Sequence, residues 1–134
     1  MTFRVSLAAA FAFVLSVFAV PMQPAAAQGA PAAQVEVPTI SVSQFKALMK
    51  SHKRYVLVDV RTPQEFAGGH IDGAIPMPLD ALPDNYKKIP KGVKLVVNCR
   101  SGHRSASAVQ FLLAHGYKNA VSLDGGYLAW TAAP

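Results

Sequence analysis

The chain has one cysteine and one tryptophan in 134 residues. A lone cysteine cannot form an intrachain disulfide, so a disulfide-stapled fold is excluded. The thiol is then either a small buried hydrophobe or a reactive group. Acidic residues are scarce: 7 Asp and Glu stand against 13 Lys and Arg, for a formal charge of +6. The lysines are nevertheless scattered, with no basic run and no interleaved aromatic stripe, so nucleic acid is a weak candidate partner. A mildly basic surface of this kind suits small anionic substrates. No grouping has the spacing of a metal site. Cys99 and His103 are an isolated pair without a second ligand set, and neither metal nor cofactor is expected. Long apolar runs are also missing, since the longest, Val5 to Val20, has 16 residues and a spanning helix needs roughly 20.

That run has the layout of a secretory signal. Arg4 precedes it, Pro21 and Pro24 follow it, and Ala25-Ala26-Ala27 offers the small residues a signal peptidase reads. The expected division is a signal peptide over 1–27, a disordered Ala/Pro/Gln-rich linker over 28–36 and one folded domain over 37–134. The other reading is an uncleaved membrane anchor. The expected location is outside the cytoplasm, periplasmic in a Gram-negative source, with no stable membrane insertion after cleavage. The chain from Gln28 onward carries 12 Lys and Arg against 7 Asp and Glu and is long enough for a single core.

Strands and short helices alternate through the rest. Val37 to Ile40 can form a short strand. Ser41 and Gln44 form a capping box for a helix to about Lys50, with Val42, Phe45, Leu48 and Met49 facing inward. Tyr55 to Val60 is a β-branched apolar run, the pattern of a central parallel strand covered on both faces. Asp59, near its C-terminal end, is read as a partner for Arg61 or for the following turn. Thr62-Pro63-Gln64-Glu65 starts a brief helix that Gly68-Gly69 ends. His70 is expected to hold the turn after it. Ala74 to Met77 suggests another short strand, and Pro76 and Pro78 suggest that it lies at a sheet edge. Leu79 to Ile89 reads as an irregular helix, Lys94 to Asn98 and Ala120 to Leu123 as strands, and Tyr127 to Trp130 as a final helix with Trp130 buried. The alternation argues for a mostly parallel sheet with helices on both faces.

The chemistry concentrates at Asn98-Cys99-Arg100-Ser101-Gly102-His103-Arg104-Ser105. The only thiol sits where a strand ends, in a tight loop that opens into a helix after Ser105 and runs to His115, with Gly116 as the stop. A helix N-terminus and nearby arginines lower a thiol's pKa from about 8.5 into a range of roughly 3.5 to 7.5. Gly102 lets loop amides turn inward as an anion nest. Such a cradle fits two chemistries: attack on a sulfane sulfur to form a persulfide, or attack on phosphorus. The cysteine-dependent phosphatase loop places five residues between Cys and Arg, whereas Arg104 follows Cys99 after four. No carboxylic acid lies in the loop to protonate a leaving alkoxide.

With these residues in view, the chain resembles a single-domain rhodanese, a thiosulfate sulfurtransferase-like protein. The resemblance is carried by Val58-Asp59-Val60-Arg61-Thr62-Pro63-Gln64-Glu65-Phe66, Gly69-His70-Ile71-Asp72-Gly73-Ala74-Ile75, the Cys99–Ser105 loop, Gly116-Tyr117 and Leu123-Asp124-Gly125-Gly126-Tyr127-Leu128-Ala129-Trp130. It implies an α/β, rhodanese-like fold with a five-stranded parallel sheet. It also implies a catalytic Cys99 that carries a persulfide held by loop amides, with thiosulfate and cyanide as the family's usual assay donor and acceptor. By position, Arg104 carries over as loop-bracing and anion-binding, and Arg100, Ser101, Gly102, His103 and Ser105 as the substrate-binding lining. Asp59 and Arg61 carry over as support for the loop. The implied partners are a small anionic sulfur donor and a thiophilic acceptor, either of which could be a protein. A non-catalytic sulfur-carrier or partner-binding module is the alternative. A phosphatase or arsenate reductase on the same fold is more remote.

Overall fold

A computed structural model describes residues 36–134. The expected signal segment over 1–27, and all of the linker except Glu36, lie outside the described residues.

The elements alternate as the sequence pattern requires. They are β1 (Thr39–Ile40), α1 (Val42–Lys50), β2 (Tyr55–Asp59), α2 (Pro63–Ala67), β3 (Ile75–Pro76), α3 (Leu82–Asn85) with a 3-10 turn over Tyr86–Lys88, β4 (Lys94–Asn98), α4 (His103–Ala114), β5 (Ala120–Leu123) and α5 (Gly126–Ala132). The five strands form one sheet in the order β1-β5-β4-β2-β3. Every pair is parallel, including the long β2–β4 register from Tyr55 opposite Lys94 to Asp59 opposite Asn98. Cys99 therefore leaves the C-terminal end of the central strand, where open parallel sheets place their ligands.

Side-chain alternation along the strands feeds two cores, one per face. Val58, Leu95 and Val97 join Leu82 of α3 and Val109 and Leu112 of α4 on one face. Leu57, Val96 and Val121 join Phe45 of α1 and Ile71 on the other, with Trp130 of α5 packed against them. Phe45 is fully buried, with its ring edge-on to Tyr55 at 5.5 Å and tilted against Trp130 at 5.7 Å. A side chain buried to this degree contributes about 1.5–3 kcal/mol through the apolar area removed from water.

Both capping boxes form as the sequence predicts, at Ser41/Gln44 and at Thr62/Glu65. His70 holds its turn through Nδ1 and the Phe66 carbonyl at 3.0 Å, and its ring stacks on Phe66. Four expectations are corrected. β1 is two residues rather than Val37–Ile40, because Pro38 has no N–H to pair and meets β5 only through its carbonyl, which accepts from the Ser122 amide. β3 shrinks to Ile75–Pro76 at the sheet edge, since Pro76 and Pro78 remove ladder donors. α4 begins at His103 rather than after Ser105, because Gly102 takes a left-handed φ of 104° and turns the chain at once. Trp130 is half-buried, covering Phe45 from the outside.

Candidate active site

The Cys99 thiol sits at the bottom of the loop joining β4 to α4, and its residue is 1% exposed. The Gly102 amide donates to Sγ at 3.0 Å, and the Ser105 hydroxyl lies 3.4 Å from it. Burial pushes the thiol pKa up. The Ser105 hydroxyl, together with the amides of Ser105, Gly102 and Ser101, outweighs burial, so the net direction is down from the ordinary thiol value. The direction expected from the sequence is present, and its leading causes are hydrogen bonds at the start of α4, ahead of the attraction between the thiolate and Arg104.

Arg104 accounts for that difference. It lies in the first turn of α4 and donates through both Nη atoms to the Glu65 carboxylate of α2, each at 2.7 Å. The bidentate pair ties the first turn of α4 to α2 and leaves the guanidinium engaged with Glu65 instead of open to an anion. Glu65 also accepts the Thr62 amide at 3.0 Å, so one side chain caps α2 and fastens α4 to it. The Arg104 hydrogen bond is the main reason the Glu65 carboxyl is held at about 2, below its ordinary 4.5. Beside this clamp, Arg104, Thr62, Pro63, Pro78, Leu79 and Asp80 line an open groove of about 430 Å³.

Asp59 and Arg61 form a buried pair, at 1% and 4% exposure. Arg61 donates through Nε and Nη2 to the Asp59 carboxylate at 2.8–3.0 Å, and through Nη2 to the Gly69 carbonyl at 2.7 Å. Its guanidinium lies 4.3 Å from the centre of the Tyr127 ring. Asn98, the residue before the cysteine, donates to Asp59 Oδ2 at 3.4 Å. Asp59 is thus the partner of Arg61, and the pair reaches the base of the loop through Asn98.

The remaining expected lining divides in two. Arg100, Ser101 and His103 are exposed around the mouth, and Gly102 is half-buried with its amide on the sulfur. Ser105 is not at the mouth. It is fully buried beneath the thiol, with Oγ 3.1 Å from the Gly102 carbonyl, to which it can donate, and 2.7 Å from Ser122 Oγ.

Sequence reasoning misses three contributors. Glu65 reads there only as a helix cap. Ser122 reads only as a strand residue, although its hydroxyl reaches the Ser105–Cys99 cluster from β5. The start of α5 reads only as the start of a final helix, yet the Tyr127 amide donates to the Cys99 carbonyl at 2.7 Å and the Leu128 amide to the Arg100 carbonyl at 3.0 Å. Gly126 makes that approach possible: a Cβ there would lie 2.5 Å from the Cys99 carbonyl oxygen and 2.7 Å from Arg100. The Gly125-Gly126 pair is the available signal. Among the described residues, no three His, Cys, Asp or Glu side chains group as a metal site would require. The arrangement is a narrow cup of amides and a hydroxyl around one sulfur, able to stabilise negative charge on that atom.

A family model described as a rhodanese-like domain matches residues 41–133. The chain is 43% identical over 75 residues to a sulfurtransferase of Allochromatium vinosum, covering 56% of this chain and 70% of that protein. It is 40% identical over 75 residues to the thiosulfate sulfurtransferase GlpE of Stutzerimonas stutzeri, covering 56% and 69%. The solved structure of the human single-domain sulfurtransferase TSTD1 superposes with a TM-score of 0.67 at 29% identity, covering 72% of this chain and 97% of that one.

Proposed function

The chain belongs to the rhodanese-like domain family and is a rhodanese-type sulfurtransferase, and from that premise we propose that Cys99 carries the transferred sulfur as a persulfide. The observation that carries this reading is the Gly102 amide on Cys99 Sγ at 3.0 Å, within a loop whose donors converge on the sulfur. With thiosulfate as donor, the Cys99 thiolate attacks the outer sulfur. The new bond joins Sγ to that sulfur, the donor's S–S bond breaks, and sulfite leaves with the bonding electrons. A thiophilic acceptor such as cyanide then attacks the terminal sulfur, leaves as thiocyanate and restores the thiolate. The terminal persulfide sulfur carries negative charge, and the loop amides are the donors available to hold it.

In this reading Cys99 is the nucleophile. Arg100, Ser101, Gly102 and His103 surround the entering donor, and the exposed Arg100 supplies a free positive charge for an anion. Arg104 acts by bracing through Glu65. Asp59 and Arg61 support the loop, and Ser105 sets the thiol's charge from below. A phosphatase reading is less well supported, because the loop is a residue short and the Arg104 guanidinium that would cradle a phosphoryl group is held by Glu65.

The domain plan that accompanies this activity is a signal peptide over 1–27 with cleavage after Ala27, a linker over 28–36 and the rhodanese domain over 37–134. The protein is then exported, to the periplasm in a Gram-negative source. The test of the catalytic assignment is thiosulfate:cyanide turnover in variants. Cys99→Ser is expected to abolish it, and Arg104→Ala to lower kcat/KM on the order of tenfold through lost positioning. Turnover persisting in Cys99→Ser would overturn the assignment. Negligible turnover by the wild type, with sulfur nevertheless loaded from a partner protein, would favour the carrier module.

A further inference from the structure

Lysines that are scattered along the sequence converge in space. In an all-parallel sheet every strand starts at the same end, and the connections leading into the strands gather there. Lys53 and Arg54 lead into β2, Lys87, Lys88 and Lys91 lead into β4, and Lys118 leads into β5. All six are exposed. The catalytic loop and the carboxylates Asp59, Glu65, Asp80 and Asp124 lie at or after the opposite, C-terminal ends of the strands, while Asp72 and Asp84, both exposed, lie in the connections leading into β3 and β4 and leave the six cations in excess. The molecule is thus charged along its strand axis, basic at the end remote from Cys99. We propose that this basic end is a docking surface for an anionic lipid bilayer, and that docking there leaves the Cys99 loop facing away from the membrane.

Four observations favour that occupant. First, the cations lack carboxylate partners: the two ion pairs among the described residues, Arg61–Asp59 and Arg104–Glu65, use none of them. Lys88 donates to the Asn85 side-chain oxygen at 2.7 Å, Lys91 donates to the His115 carbonyl at 3.4 Å, and Lys87 lies 6.0 Å from the Tyr86 ring centre. Their charge is therefore not neutralised within the fold. Helix dipoles favour cations in a last helical turn, but Lys53, Arg54, Lys91 and Lys118 lie outside the helices, so that effect does not account for them.

Second, the charges come from three separate connections, which matches an extended anionic plane better than a single small anion. Between two of those connections runs an open groove of about 550 Å³, lined by Tyr86, Lys87, Lys88, Lys91, His115 and Tyr117. It has room for a phosphate headgroup beside an amphipathic tyrosine ring. Third, the aromatics offer no stacking face to a nucleic acid base: Tyr117 is buried, and Tyr86 is packed edge-on against Phe111 and His115. Fourth, the chain enters the domain from this end, since Pro38 leads into β1 and β1 runs parallel to β5. Glu36, exposed beside that entry, joins Asp72 and Asp84 as the carboxylates set against the six cations.

The test is co-sedimentation of the full chain with vesicles of phosphatidylcholine alone and of phosphatidylcholine with phosphatidylglycerol, at two salt concentrations. The expected result is binding to the anionic vesicles that weakens with salt. Partitioning should fall roughly hundredfold in the triple variant Lys87→Gln, Lys88→Gln, Lys91→Gln, while thiosulfate turnover and the thermal midpoint are retained. Arg100→Gln, at the opposite end, is expected to leave vesicle binding unchanged. Equal binding to neutral vesicles would assign the adsorption to apolar contacts and overturn the proposal. So would no binding to anionic vesicles, which would leave an acidic protein as the occupant, or wild-type binding by the triple variant. The readout does not involve the thiol, so failure here leaves the persulfide reading untouched.

Discussion

Ser105 has one hydroxyl proton and three neighbours within reach: Cys99 Sγ at 3.4 Å, the Gly102 carbonyl at 3.1 Å and Ser122 Oγ at 2.7 Å. Ser122 Oγ meets no other hydrogen-bond partner among the described residues, so its own proton goes to Ser105. That leaves the Ser105 proton for either Gly102 or the sulfur. When Cys99 is a thiol, Gly102 is the better acceptor. When Cys99 ionises, the proton can turn to the anion, where a charge-assisted bond is stronger. Ser105→Ala is therefore expected to raise the Cys99 pKa, moving the midpoint of iodoacetamide alkylation against pH upward. Ser122→Ala should move it in the same direction by less. An unmoved profile in Ser105→Ala would mean the amides alone set the thiolate. Ser105 is visible in the sequence as the residue after Arg104, but its burial is not, because the start of α4 two residues before it turns its side chain inward.

At the scale of elements, α2, α4 and α5 are fastened together around the loop by contacts that no local pattern announces. Glu65 and Arg104 tie α2 to α4. Both side chains are about a third exposed, at 29% and 34%, and water screens the pair, so its loss costs about 1 kcal/mol or less. The carboxyl is held at about 2 in the folded protein against an ordinary 4.5. A carboxyl lowered by folding stabilises the fold above its unfolded pKa and loses that contribution as pH falls through its folded pKa. Glu65→Gln should therefore be less stable than wild type near neutrality. The gap should close as pH falls from about 4.5 towards 2, as denaturant midpoints measured across that range would show. A gap constant with pH would contradict the clamp. The α5 contact is steric. Gly126 has φ +60° and no room for a Cβ against the Cys99 carbonyl, so Gly126→Ala should displace the loop. The expected result is a large loss of sulfur-transfer rate with a fall in thermal midpoint, and wild-type turnover in that variant would contradict the close approach.

Across the whole molecule, the order of strands and helices is legible in the sequence because continuous β-branched runs, two capping boxes and several glycine stops mark their own boundaries. The cysteine loop is legible because a lone thiol followed by two arginines and a glycine at a strand end is a chemical pattern that core packing does not require. The contacts that complete the site join residues far apart in sequence, such as Glu65 with Arg104 and Ser122 with Ser105, and single-chain periodicity carries no signal for such pairs. The same limit conceals the basic end of the sheet, where parallel topology gathers lysines that look dispersed in the sequence. The proposed function turns on Cys99 holding the transferred sulfur. Intact-mass spectrometry of the protein before and after thiosulfate, and again after cyanide, reads that atom without intermediaries. The expected result is a gain of one sulfur atom on Cys99 that cyanide removes. No gain on a thiol shown to be free and reduced would contradict the persulfide assignment.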